Sequence, residues 1–415
     1  MTGQKENLIL ILYVGTRRLA GIVAEAAAGT VRVLRFRELS NPEGFQKGEV
    51  AEMEKAQGSV AELVKSLDLG EEAFEIPAFV LLSGPSLKMN RFSSSLYFSG
   101  YPRVVTSHEV RRIIDQARST APFPLTEWVL QVVPESFWVN DLAGVQDPLG
   151  LEAQRLAVTV QIYTTPYAAF RNLSRIFENL EFNLQGYYPK TLTLPDGVLN
   201  PTERDEEALV IDFSDEATHL VLTRQGRAVQ TKSLNWGSRF LTSRIAETWS
   251  LRLRDAERLK ERFGSLEEKL EFGEELIPLV EREGQKNHQI KRSEFHEAFR
   301  GFGGELFAKI EKEITGLLTR EKLSYVPFVL TGGGVKLDGL VEFLSRRLPA
   351  PLRLGTPRHV EASAELLMDP AWCGLVGLVR WLAEKDKFIR WTAPARENVL
   401  ERSFVQFKDW LTAYF

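Results

Sequence analysis

Phe328-Val329-Leu330-Thr331-Gly332-Gly333-Gly334, with Gly339-Leu340 close behind, is the stretch on which the reading of this chain turns. Its apolar run has the length of a buried strand, and three glycines end it. A helix is expected from about Asp338, with Leu340, Val341 and Leu344 on one face. Strand, glycine turn and helix start bring bare backbone close to whatever lies above the turn, because no Cβ intervenes. A flat or charged ligand suits such a place. Tight packing is the other use of it.

Working outward, the same order of parts occurs twice. Leu8 to Val14 reads as a buried strand turned by Gly15-Thr16, Leu19 to Ala24 returns, and Val31 to Phe36 alternates like a third. Ala208 to Phe213, the turn Ser214 to Ala217, Thr218 to Thr223 and Arg227 to Leu234 repeat that meander. Tyr13 and Asp212 hold equivalent places in it. A repeat of this length is a domain duplication, with two related halves facing each other across a cleft.

Between the halves the pattern differs. Ser107 to Ser119 is helical, with Val110, Ile113, Ile114 and Ala117 on one side. Trp128 to Val139 and Gln154 to Tyr163 alternate like strands about a turn-rich link, Asp141 to Gly150, which suggests a small α+β insertion. A second amphipathic helix, Tyr167 to Leu180, returns the chain to the first domain. In the second half Asp255 to Phe263 and Lys291 to Leu318 are helical and charge-rich, with Pro278 and Glu281 to Asn287 read as turn or exposed loop. After Trp381 the pattern changes to a linker around Ala393 to Asn398. The chain then ends in a helical pattern whose Leu400, Phe404, Phe407, Trp410, Leu411, Tyr414 and Phe415 share an arc of roughly 140°. Such a helix suits a membrane interface or a dock on its own protein. Arg402 and Lys408 are offset by Glu401 and Asp409, so aromatic burial must supply most of any lipid binding.

Composition narrows the function classes. At 415 residues, 44% hydrophobic and 26% charged, the chain is folded and needs two domains or more. A formal charge of −4 gives no footprint for nucleic acid. The single cysteine, Cys373, excludes an internal disulfide and a cysteine-built metal site. Leu8 to Val14 is too short to span a bilayer, no internal run is long enough, and no signal-peptide cleavage pattern follows it. The five histidines, at 108, 219, 288, 296 and 359, lack the spacing of a helical metal pair, and His219 alternates with apolar neighbours as a satisfied strand residue does. Ser83-Gly84-Pro85-Ser86 is not a nucleophile elbow.

Two facing strand-turn-strand units with a late glycine turn match the actin-like ATPases, and the order of parts resembles the FtsA family along nearly the whole chain. Val132-Val133-Pro134-Glu135 with Val145-Gln146-Asp147-Pro148-Leu149-Gly150-Leu151 is similar to that family's 1C insertion, which actin, DnaK and MreB lack in this place. Ala256 to Lys260 resembles the family's helix beside the adenine, and Thr331 to Gly334 its adenosine motif. The terminal aromatic helix sits where the family keeps its membrane-targeting sequence. The resemblance implies an α/β, actin-like (ribonuclease H-like) duplicated fold. It places the first domain at 1–88 and 167–199, the insertion at 89–166, and the second domain at 200–385 with a smaller part at about 246–318. A linker at 386–399 and the helix 400–415 follow. It also implies nucleotide contacts from Gly15, Thr16, Asp212, Glu257, Lys260, Gly332, Gly333 and Gly334. The implied partners are the FtsZ C-terminal tail, held around Leu251 to Leu318, membrane lipid at the inner face, and further copies of the chain through the insertion.

The departures carry as much weight. The family's first phosphate loop has the form Asp-x-Gly-Ser/Thr, whereas here Tyr13-Val14-Gly15-Thr16 lacks the carboxylate that holds water or Mg²⁺. The second normally reads Asp-x-Gly-Gly-Gly-Thr. Here Asp212-Phe213-Ser214-Asp215-Glu216-Ala217-Thr218 has lost all three glycines, and two carboxylates stand where backbone amides cradle phosphate. Two such charges about 4 Å apart repel by roughly 4 kcal/mol at an effective dielectric of 20 unless something offsets them or they point to solvent. The expectation is weak ATP binding at most, no Mg²⁺, no catalytic residue and no useful hydrolysis. Two alternatives stay open: an active ATPase of the same fold, and a PilM-like scaffold of a pilus or secretion machine.

Overall fold

A computed structural model describes residues 8–27, 30–70, 74–279 and 289–384. The strand Leu8–Val14 pairs antiparallel with Arg18–Ala27, which pairs antiparallel with Thr30–Ser40. On its other side it pairs parallel with Ala78–Leu82, and that strand with Leu184–Pro189. The second half repeats this order. Glu207–Phe213 lies between Thr218–Arg224, its antiparallel neighbour, and Phe328–Thr331, its parallel one, while Arg227–Leu234 and Leu352–Leu354 complete the edges. Register makes the duplication concrete. Tyr13 lies opposite Ala20 and beside Leu81, and Asp212 lies opposite His219 and beside Thr331, each one residue before its strand ends.

Both central strands are buried on both faces, which is why they read as apolar runs without alternation. One face of the first sheet is covered by the helices Met53–Ser66 and Tyr167–Asn179 through Val60, Leu63, Phe170 and Phe177. The second sheet has the long helix Arg292–Arg320, whose Phe299, Leu306, Phe307 and Ile310 join the helices Arg239–Thr248 and Leu253–Phe263 in its largest core. Each such side chain contributes about 1.5–3 kcal/mol by leaving water. Helices Lys190–Val198 and Cys373–Ala383 cross with their backbones in contact, since a Cβ on Gly197 would collide with the Cys373 carbonyl and one on Gly377 with the Thr193 carbonyl.

Residues 92–121 and 132–160 form a separate compact unit. Its helix Ser107–Thr120 starts with a capping box between Thr106 and Glu109 and buries Val110, Ile113, Ile114 and Ala117, the face expected. The Asp147-Pro148-Leu149-Gly150 link folds as a turn in which Leu149 N–H donates to the Asp147 carboxylate at 3.1 Å and Gly150 takes a φ of 77°.

Two expectations need correction. The helix after the glycine turn starts at Leu340, two residues later than expected. Gly333–Lys336 forms a 3-10 turn, Gly339 is left-handed at φ 70°, and only Leu340–Ser345 is helical. Pro278 ends a short strand, Leu276–Pro278, paired with Gln289–Lys291, instead of lying in a loop; Glu281 to Asn287 lie outside the described residues, as does the terminal pattern Leu400 to Phe415. Among the described residues no helix is long and apolar enough to cross a membrane.

Candidate functional site

The equivalent strand ends point at one cleft, with a cavity of about 350 Å³. On the first side Tyr13 replaces the expected carboxylate. Its ring folds back over Gly15, so that a Cβ there would lie 2.7 Å from the phenol oxygen. The Trp372 ring meets Tyr13 edge-on at 5.8 Å, and the Lys190 ammonium lies 5.7 Å from its centroid. The Gly15 amide is spent within the hairpin, donating to the Arg18 carbonyl at 3.2 Å.

Lys190 is a residue the sequence reading missed. It begins the helix after Pro189, is 2% exposed, and pairs at 2.9 Å with Asp212, which is 0% exposed. Gly374 makes room for its stem, since a Cβ there would lie 2.5 Å from Lys190 Cγ. Burial acts to lower the Lys190 pKa, but the charge of Asp212 and the hydrogen bond to it outweigh burial and raise the pKa above its ordinary value.

The second loop closes on itself and on the facing half. Ser214 N–H donates to the Ala217 carbonyl at 3.0 Å, making a tight turn without glycine. Neither carboxylate points to solvent. Glu216 accepts the Thr16 hydroxyl and the Lys47 backbone N–H, the latter at 2.6 Å, and pairs with Arg239 at 3.1 Å. Thr16 in turn receives the Gly48 N–H at 2.7 Å. Asp215 lies 3.5 Å from the same Arg239; burial raises its carboxyl above the ordinary range, against the pull of Lys260 and Arg239. Arg239 thus offsets the repulsion expected between the two acids. It is held there because Ser238 and Arg239 donate their backbone N–H groups to the Ser214 and Asp215 carbonyls at 2.9 and 2.8 Å.

At the nucleoside end, Glu257 and Lys260 share one helix face and pair at 2.9 Å. Burial would raise the Glu257 carboxyl, but Lys260, Thr242 and Arg17 together hold it below its ordinary value. Arg17 reaches across from the first hairpin to Glu257 and Glu261, at 3.1 Å each. Arg18 likewise reaches Asp369 at 2.9 Å, which Lys336 shares at 2.7 Å.

Of the eight expected nucleotide contacts, Gly15, Thr16, Glu257, Lys260, Gly333 and Gly334 line the cavity. Asp212 and Gly332 do not. Asp212 is turned to Lys190, and Gly332, at φ 97°, lies so close that a Cβ would strike the Asp212 carboxylate and the Phe213 carbonyl. Gly334 also packs on the Phe213 ring, where a Cβ would lie 2.6 Å from Cδ1. Two of the three glycines therefore serve close packing. Gly333 alone keeps open space above it, with Ala371 at 3.8 Å the nearest atom to a Cβ there. The nucleoside end has room for a planar group. At the phosphate end the donors on Thr16 and Lys47 already serve Glu216, itself an anion. Among the described residues no group of three or more His, Cys, Asp or Glu is placed to hold a metal ion.

His219 is a buried strand residue, as expected, bonded to Ser233 at 2.9 Å and to Ser83 of the first half at 3.3 Å. Burial lowers its pKa to about 4.

Comparison with known proteins agrees with this architecture. A family model described as "Cell division protein FtsA" matches residues 209–377, and one described as "SHS2 domain inserted in FTSA" matches 84–164. The cell division protein FtsA of Borreliella burgdorferi is 24% identical over 383 residues, covering 92% of each chain. Among solved structures, a PilM-PilN type IV pilus biogenesis complex superposes with a TM-score of 0.63 at 19% identity, covering 89% of this chain and 97% of that one. MreB 5 of Spiroplasma citri bound to AMPPNP gives 0.51 at 13%, covering 92% and 98%. At such identities the solved structures speak for the actin-like fold alone.

Proposed function

We propose that this chain, which is similar to the FtsA cell division proteins and has the actin-like fold, is a tethering scaffold, with weak nucleotide binding at most and no useful hydrolysis. In this reading the second domain, around Leu251 to Leu318, holds the C-terminal tail of FtsZ, and the aromatic segment 400–415 rests on the cytoplasmic face of the membrane. Self-association through the insertion multiplies weak contacts, because linked modules raise one another's effective concentration. A weakly charged foot then suffices, several acting together.

The observation that carries the reading is the phosphate end of the cleft. A Tyr13 ring covers Gly15, and Glu216 takes the hydroxyl and amide that a phosphate would need. Fuel-driven relatives depend on bare amides and a metal-holding acid there. Two titrations test the proposal on the full chain: calorimetry with ATP·Mg²⁺ alongside phosphate release, and fluorescence anisotropy with a labelled tail peptide of the same organism's FtsZ. Peptide binding without steady phosphate release is expected. Micromolar ATP binding with steady release would overturn the fuel-free scaffold, and an unbound peptide would overturn the partner.

A further inference from the structure

The cleft contains, from its own chain, groups of the charge that a nucleotide and its metal would bring. A cation, Lys190, sits against the buried carboxylate of Asp212. An anion, Glu216, sits on the Thr16 hydroxyl and the Lys47 backbone N–H. Thr16 and Lys47 belong to the first half and Glu216 to the second, so this carboxylate links the two. The link is shielded, since the Glu216 side chain is 11% exposed and Arg239 backs it from the second half. Arg17 to Glu257 and Glu261 adds a parallel tie, and Ser83 to His219 a third.

Resting on the reading of this cleft as a fuel-free descendant of a nucleotide site, we propose that Glu216 is a built-in clasp: it occupies the seat of a ligand phosphate and holds the two halves closed with no nucleotide present. In an actin-like protein gated by nucleotide, the ligand's phosphates make these bonds to both hairpins, and the closed state comes and goes with them. Here the acceptor is part of the chain itself, so the closed arrangement does not depend on a ligand. A phosphate group enters only by displacing Glu216. A hydrogen bond to a charged acceptor contributes about 1.5–3 kcal/mol, so losing the Lys47 bond alone accelerates local opening roughly ten- to a hundredfold.

Amide hydrogen exchange on the full chain, without lipid or partner, reads the clasp directly. In the wild type the Lys47 and Gly48 amides are expected to be protected without nucleotide and unchanged by ATP·Mg²⁺. In Glu216→Ala their exchange accelerates at least tenfold, while the buried strand Glu207–Phe213 exchanges as in the wild type; added inorganic phosphate restores their protection in the variant only. Should the alanine variant lose global protection, Glu216→Gln, which keeps an acceptor and loses the charge, gives an intermediate acceleration. An acceleration below threefold with the strand unchanged would overturn the clasp, as would wild-type protection that rises on adding ATP·Mg²⁺. Tail-peptide binding is not part of this readout, so the clasp and the scaffold reading fail separately.

Discussion

Replacing Lys190 by methionine removes the ammonium and leaves a side chain of similar length. Asp212 is then a carboxylate with 0% exposure and its 2.9 Å partner gone. Breaking a buried pair from one side costs about 3–5 kcal/mol, because the remaining charge is neither solvated nor paired. The loss of the cation over the Tyr13 ring adds to this. At roughly 2–4 °C per kcal/mol for a large domain, the melting temperature falls on the order of 10 °C. Asp212→Asn alone strands the lysine instead and falls comparably. The double variant Lys190→Met with Asp212→Asn removes both charges and recovers most of the loss, since neutral replacement of a buried pair is often nearly cost-free. Urea unfolding at pH 7 followed by tryptophan fluorescence measures all four proteins, and Trp372, beside Tyr13, reports from the site. A Lys190→Met variant within about 1 kcal/mol of the wild type, or a double variant no better than the singles, would refute the argument.

Other predictions concern single positions. Gly332→Ala, at a φ of 97° and against Asp212, loses about 1–3 kcal/mol from backbone strain alone, whereas Gly333→Ala stays within about 0.5 kcal/mol; thermal melts separate them. His219 is held near pKa 4 against an unfolded value of 6.5. Its contribution to stability is therefore complete above pH 6.5 and lost as pH falls through the window from 6.5 to 4, by on the order of 3 kcal/mol. Urea midpoints at pH 7 and 4.5 should show that fall in the wild type and a smaller one in His219→Gln; an equal fall in both would assign the acid limb elsewhere.

The duplicated sheets were legible because their signals are local. Two apolar runs end at Gly15 and at Ser214, and each is followed by a returning strand. The cleft was half legible. Thr331 to Gly334 pointed to the right place, but sequence does not distinguish a glycine kept for a ligand from one kept for Phe213, as Gly334 is. Lys190 was invisible for a physical reason. Its helix is buried on nearly every side, so no polar face marks the lysine as exceptional, and its partner lies in a strand of the other half. The same holds for Cys373–Ala383, whose first seven residues are all buried and leave no stripe to read. Arg239 was missed because the offset between Asp215 and Glu216 is a tertiary fact. The one hint was a serine-arginine pair directly after the turn Trp236-Gly237.

Vesicle flotation tests the central claim most directly. A fluorescent FtsZ tail peptide is mixed with the protein and lipid vesicles in the absence of nucleotide, and the floated fraction is read. The account predicts that the peptide rises with the vesicles when the full chain is present, that ATP·Mg²⁺ leaves the yield unchanged, and that a chain ending at Asn398 leaves the peptide behind. Equal flotation with the shortened chain, or recovery only when ATP·Mg²⁺ is added, would contradict it.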